Sequence, residues 1–255
     1  MRVAMRLVGL TIHIAAGMLL ALLLVIVQLT ARHVGYSLRG KLARWWLRTL
    51  GRLLGVRVFA YGVPASAAVL YVANHISWLD IIALAEVVGA DFVAKQEVRG
   101  WPLFGWLAQA GGTLFVRRGN SNAVRHIEDH MTFRLAAGRN LVLFPEGTTT
   151  AGDVPKPFKP RLFQAAIRTQ SPVQPVAISY QGSRELRSRV AFVGDQGLLE
   201  NLWSLLGTRS LPVTIRFMPP LASKGARTRP LANAAWESVL LGLETPRDII
   251  SVRAA

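Results

Sequence analysis

Between Leu7 and Ala31 the chain carries no Asp, Glu, Lys or Arg, a run of 25 residues. As a helix rising about 1.5 Å per residue it would be roughly 37 Å long, more than the ~30 Å hydrocarbon core of a bilayer. This stretch predicts a membrane-anchoring helix within residues 1–35. A cleaved leader is the alternative, because Arg2 and Arg6 imitate a basic leader. The run is long for a leader, however, and lacks a clear small-residue cleavage site. His13 inside it reads as tolerated or packed against a neighbour, although ionisable residues at such depth are functional candidates.

Arg32, His33, Arg39, Lys41, Arg44, Arg48 and Arg52 follow, outweighing the two arginines before the run. By the positive-inside tendency the domain after the anchor faces the cytoplasm, which implies a single-pass or monotopic protein of the cytoplasmic (inner) membrane. The spacing of Lys41, Arg44, Arg48 and Arg52 predicts a basic amphipathic helix over 36–55, lying on anionic lipid. A domain-packing helix with a solvated basic stripe fits the same pattern. The formal net charge of +16 attracts nucleic acid, anionic membrane or phosphorylated ligands alike. Because the cations crowd beside the anchor and no groove-reading motif accompanies them, the expected partner is an anionic membrane and no nucleic acid.

Residues 56–255 read as one domain. Strands are expected at Arg57 to Tyr61, Val69 to Val72, Asp91 to Ala94, Thr113 to Arg117, Leu141 to Phe144, Val173 to Tyr180, Val190 to Val193 and Val213 to Phe217. Helices are expected at Leu79 to Val88, Trp101 to Ala110, Ala123 to Ala137 and Arg161 to Thr169. The alternation predicts an α/β fold, a mixed and mostly buried sheet flanked by helices. The segment from Leu221 onward carries no interpretable motif.

The chain has no cysteine, which excludes a thiolate nucleophile, and five histidines remain as proton-transfer candidates. Asn74-His75-Ile76-Ser77-Trp78-Leu79-Asp80 follows an apolar strand, placing a histidine at a strand's carboxyl end. A histidine there can take a proton from a hydroxyl, and a carboxylate five residues on can hold its other ring nitrogen. Such pairs also arise by chance, and a buried structural histidine is the commoner case. Ser77 is either a nucleophile or a helix cap. Gly112 to Arg118 is a glycine, a strand with Phe115, and the paired Arg117 and Arg118, whose planar donors suit phosphate. Phe144-Pro145-Glu146-Gly147-Thr148 offers a carboxylate and a flexible glycine at another strand end, or simply a turn. His126 and His130 are four apart on a helix, but lack the His-Glu-x-x-His order and a third ligand, so no metal is expected.

Together with Val173-Gln174-Pro175-Val176-Ala177-Ile178, these segments occur in the order and spacing of the four blocks of bacterial glycerolipid acyltransferases. The sequence resembles the 1-acylglycerol-3-phosphate acyltransferase family over about Val69 to Ile178. The resemblance implies acyl transfer from acyl-CoA or acyl carrier protein to a lysophospholipid hydroxyl, without a cofactor or an acyl-enzyme. His75 would be the general base and Asp80 its orienting group. Arg118, Glu146 and Gly147 would position the acceptor head group, with Asn74, Ser77, Gly112, Phe115, Arg117, Phe144, Pro145, Thr148 and Lys159 around the substrate. Trp101, Leu103 and Phe104 would line an acyl path or serve as core. Many members have arginine where this chain has Thr149, so lysophosphatidate is the first expected acceptor and lyso-ornithine lipid the alternative. A non-catalytic lipid-binding scaffold is the reading from another class.

Overall fold

A computed structural model describes residues 1–30, 32–66, 68–117 and 121–245. Two long helices lead: α1 (Arg2–Thr30) and α2 (Arg32–Leu54). They run antiparallel, because the His13 ring stacks on Trp46 at 4.8 Å while Gly9 lies against Leu53. His13 Nε2 and Trp46 Nε1 each meet the other residue's backbone carbonyl, at 3.0 and 3.1 Å. A Cβ on Gly17 would fall 2.4 Å from Trp46 Nε1, so the pair approaches closely only because Gly17 has no side chain. His13 is therefore a packing residue, as one of its two readings anticipated.

Both free ends of this pair meet the same body. Arg6 donates to the carbonyls of Leu206 and Thr208 at 2.9 and 2.5 Å, and α2 passes through Gly55, at φ 84°, directly into the sheet. Outward from the body, α1 presents Met5, Val8, Ile12, Leu19 and Leu22 to the surroundings, whereas Leu10, Ala21 and Leu24 turn inward. The basic stripe of α2 is partly a packing device. Arg44 and Arg48 donate to the Glu86 carbonyl, at a helix C-terminus where cations are favoured.

The sheet comprises β1 (Val56–Tyr61), β2 (Leu70–Ala73), β3 (Asp91–Lys95), β4 (Leu114–Val116), β5 (Leu141–Leu143), β6 (Val173–Tyr180) and β7 (Leu211–Phe217). Its order is β1-β7-β6-β2-β5-β3-β4. β6, β2, β5, β3 and β4 are parallel; β7 reverses against β6, and β1 runs parallel to β7. Between the strands lie α3 (Leu79–Val87), α4 (Gln96–Arg99), α5 (Phe104–Gly111), α6 (Ser121–Ala136), a short 3-10 turn at Arg161–Phe163 leading into α7 (Gln164–Thr169), α8 (Arg184–Val190) and α9 (Leu198–Leu206). α10 (Thr228–Glu244) follows β7.

Alternation along each strand supplies two cores. Tyr71, Val142, Val176, Ile178 and Val213 join Leu50 and Leu54 of α2, Leu79 and Ile82 of α3, and Leu205 and Leu206 of α9. Leu70, Val72, Leu141 and Ala177 turn the other way, onto Met131 and Leu135 of α6, Ala165 of α7 and Ala235 and Val239 of α10. The mixed α/β sheet with helices on both faces is the expected architecture. One expected strand is absent: Val190 ends α8, and 191–193 cross irregularly beside the β2 loop, where Phe192 N–H donates to the Ile76 carbonyl at 2.9 Å. Helices α8, α9 and α10 went unanticipated.

Candidate active site

The carboxyl ends of β2, β5, β3 and β4 lie on one edge, and the loops that leave them build the site. Beyond β2, the chain turns into α3 so that Asp80, in the first helical turn, faces back toward His75. His75 Nδ1 lies 2.8 Å from Asp80 Oδ2. An ionised carboxylate only accepts, so the Nδ1 proton belongs to histidine and Nε2 is left as the basic nitrogen. Asp80 is fully buried, and Oδ2 also accepts the N–H groups of Ile76 and Ser77, at 2.7 and 2.9 Å. Its Oδ1 accepts the Tyr180 hydroxyl at 2.7 Å. Burial, and then the Asp80 charge, push the Tyr180 phenol well above its ordinary range, so it stays a donor. The imidazole stacks on Phe144 with centroids 3.9 Å apart and remains 17% exposed, enough for a substrate to reach it.

The backbone of His75 is clamped at both ends. Its N–H donates to Glu146 Oε1 at 2.7 Å, and its carbonyl accepts Thr150 N–H at 2.8 Å. Glu146 Oε2 accepts Lys156 N–H at 2.7 Å. Both Glu146 oxygens thus serve backbone donors, and the side chain is 2% exposed. Burial raises its carboxyl pKa, while the two N–H donors and nearby His75 pull it back. The geometry makes Glu146 a brace for the His75 loop rather than an open head-group contact.

The other expected residues divide by location. Asn74 is buried, and its amide exchanges hydrogen bonds with the backbone of Ile178 at 2.9 and 2.8 Å, stitching β2 to β6. Ser77 is fully buried with its Oγ 3.4 Å from Leu79 N; α3 starts from Trp78 with no side-chain cap, so the helix-cap reading of Ser77 does not hold, and burial hides its hydroxyl from any acyl donor. Gly112 sits at φ 94° ending α5, and a Cβ there would meet the Arg39 guanidinium at 2.7 Å, so its role is close packing. Arg134 donates to its carbonyl and to Asp91, which also binds Arg139 at 2.7 Å. Phe115 is half-buried on β4; Arg117 just beyond it is exposed. Arg118 lies outside the described residues. Pro145 is buried, Gly147 takes φ 72° in the turn, Thr148 is half-buried, and Lys159 is exposed with its N–H on the Pro145 carbonyl.

An apolar cavity of about 470 Å³ runs between α1, α2, α3 and α5, lined by Leu20, Trp46, Trp78, Ile81, Trp101 and Phe104 among others. Leu103, expected beside them, is instead exposed at 45%. His126 and His130 Nε2 atoms lie 3.0 Å apart on α6, lining a shallow pocket with Phe115 and Arg117, and among the described residues no group of three metal-ligating side chains occurs.

The family profile described as Acyltransferase matches residues 57–179. The lyso-ornithine lipid O-acyltransferase of Pseudomonas aeruginosa is 42% identical over 206 residues, covering 81% of this chain and 80% of that protein. The chain belongs to the acyltransferase family. The 1-acyl-sn-glycerol-3-phosphate acyltransferase of Neisseria gonorrhoeae is 36% identical over 150 residues, or 59% of each chain. The crystal structure of the 1-acyl-sn-glycerophosphate acyltransferase of Thermotoga maritima superposes with a TM-score of 0.62 over 91% of this chain and 96% of that one, at 22% identity, which establishes the shared fold.

Several residues around the acyltransferase's histidine lay beyond the recognised blocks. Tyr180 sits two residues past the fourth block on the face of Val176 and Ile178, a period-2 position that points to it in retrospect. Thr150, Phe192 and Asn201 gave no signal. Asn201 Oδ1 accepts the Trp78 indole N–H at 2.8 Å, from a helix with no motif.

The brace makes a prediction. Glu146→Gln leaves one acceptor for two buried backbone donors, an unpaired N–H costing about 1–3 kcal/mol. We expect kcat to fall roughly 10- to 100-fold, equivalent to about 1.4–2.7 kcal/mol, with both KM values little changed. Steady-state kinetics checks this; a rise in the acceptor KM alone would mean that Glu146 touches the head group.

Proposed function

We propose that this acyltransferase moves a fatty acyl group from acyl-CoA or acyl carrier protein to the free hydroxyl of a lyso-ornithine lipid, using His75 Nε2 as general base. The hydroxyl proton passes to His75, the oxygen attacks the thioester carbonyl, and the tetrahedral intermediate collapses with departure of the thiolate, which regains the proton from the imidazolium. Asp80, held by Tyr180, carries the compensating charge. No acyl-enzyme forms: the chain has no cysteine, and Ser77 is sealed from solvent. The apolar cavity beside Trp78 and Trp101 suits an acyl chain.

The observation that carries the acceptor is Thr149. Its hydroxyl donates to the Phe192 carbonyl, so the position after Glu146-Gly147-Thr148 holds a neutral, already engaged side chain where many members have arginine. An ornithine head group brings a carboxylate and an ammonium instead of a phosphate dianion, and needs less positive charge there. The Pseudomonas relative's name agrees with this acceptor. Lysophosphatidate, the first expectation from sequence, is the second reading. Exposed Arg117 and Lys159 favour it, as does the Neisseria relative's name.

Purified enzyme offered both acceptors with labelled donor separates the two. We expect kcat/KM at least about tenfold higher for lyso-ornithine lipid, a difference of roughly 1.4 kcal/mol. Preference for lysophosphatidate would overturn the acceptor assignment while keeping the chemistry. We also read α1 and α2 as a monotopic hairpin in the cytoplasmic membrane. Arg6 ties the start of α1 to the body, placing it on the same side as the catalytic edge, and the basic α2 sets that side toward the cytoplasm.

A further inference from the structure

α9 (Leu198–Leu206) has an inner face that is fully committed. Asn201 is completely buried, donating to the Arg189 carbonyl at 2.9 Å and to Gln196 Oε1 at 3.1 Å while accepting the Trp78 indole N–H. Leu205 and Leu206 enter the core. The outer face is the unusual one: beside the exposed Glu200, Leu199 is 72% and Trp203 64% exposed, one helical turn apart, two large apolar groups that a water-facing helix would bury or replace.

What lies alongside says what covers them. α1 packs against α9, and Arg6 of α1 binds the carbonyls of Leu206 and Thr208 at the end of α9. The neighbouring outward residues of α1, Met5 and Val8, are exposed apolar groups as well. The lipid-facing surface of α1 therefore continues onto α9. A tryptophan beside an aliphatic side chain, with Arg2 and Arg6 close by, is the chemistry of a helix lying at the boundary between headgroups and acyl chains.

We propose that α9 is a second bilayer contact, with Leu199 and Trp203 seated in the membrane interface beside α1. The proposal rests on reading α1 as lipid-facing. Its consequence is positional: Leu198 and, through Asn201, Trp78 both line the apolar cavity, so docking of α9 brings that wall of the cavity to the lipid surface.

The chain has no cysteine, so single labels can be introduced without competition. Full-length Leu199→Cys, Ile12→Cys and Asn233→Cys proteins, the last on α10 across the sheet, are labelled with an environment-sensitive fluorophore. They are reconstituted into vesicles of phosphatidylcholine with a minority of phosphatidylglycerol. At 199 we expect blue-shifted emission, quenching by lipids bearing a doxyl group high on the acyl chain, and iodide quenching several-fold weaker than at 233. Iodide access at 199 equal to that at 233 overturns the proposal, as does shielding from iodide without doxyl quenching, which would mean that protein covers the helix. Doxyl quenching at Ile12 without quenching at 199 defeats the α9 contact alone, whereas no doxyl quenching at either defeats the reading of α1 as well.

Discussion

Replacing His75 by alanine is expected to lower acyl transfer by about 10²- to 10⁴-fold, the range assigned to a positioned general base. Its Nε2, the ring nitrogen not engaged by Asp80, is free to accept a proton from a substrate hydroxyl. Its orientation is fixed on three sides, by Asp80 at 2.8 Å, by Phe144 stacked at 3.9 Å, and by a backbone clamped between Glu146 and Thr150. Alanine removes the nitrogen but leaves the clamp intact, since the clamp uses only the residue's N–H and carbonyl. The melting temperature in detergent should therefore change little while turnover collapses. Measuring both separates loss of chemistry from loss of fold. Turnover close to the parent's would remove His75 from the role of base.

Asp80→Asn should be nearly as damaging to rate, by about 10²- to 10⁴-fold, and almost as mild on the fold. The amide oxygen can replace Oδ2 and keep the His75, Ile76 and Ser77 donors, while the amide N–H can donate to the Tyr180 oxygen that formerly donated to Oδ1. What disappears is the negative charge that, in the proposed mechanism, stabilises the imidazolium formed as the hydroxyl is deprotonated. Asp80→Ala differs in kind. It leaves buried donors from His75, Ile76, Ser77 and Tyr180 without their acceptor, at about 1–3 kcal/mol for each one that stays unpaired. Parallel kinetics and thermal melts should place Asp80→Asn low in rate and near the parent in stability, with Asp80→Ala low in both. An Asp80→Asn enzyme of full activity would reduce the carboxylate to a structural bracket.

What sequence could disclose about this site depended on the distance along the chain between cooperating groups. His75 and Asp80 stand five residues apart in one strand-to-helix turn, so their pairing is local and readable. Tyr180, Asn201 and Thr150 reach the same loop from 100, 123 and 75 residues away, through the sheet and its crossovers. No local pattern encodes such contacts. Residue type also said little about orientation: the Glu146 carboxylate looked available to a head group, but both oxygens are turned onto backbone donors. The strands were legible because fully buried parallel strands leave short apolar runs, as in Leu70–Ala73 and Leu141–Leu143. The same cue misled at Val190 to Val193, where Val190 and Ala191 pack at a helix end and Val193 is exposed. α8, with its three arginines, offered too little apolar periodicity to register as a helix.

The clasp between Arg6 and the end of α9, together with the interlock of Gly17 and Trp46, gives the leading helix a standing different from that of a leash. Gly17, Leu20, Ala21 and Leu24 form part of the cavity wall, and Leu10 belongs to the core. Trimming the chain to obtain a water-soluble enzyme would then not release an intact catalyst from its mooring. It would take down one side of the chamber and wet the apolar faces of Trp46 and Leu50 that line it. The same helix thus supplies the apolar surface that we read as lipid-facing and one wall of the apolar cavity, so a change that unseats it from one alters the other.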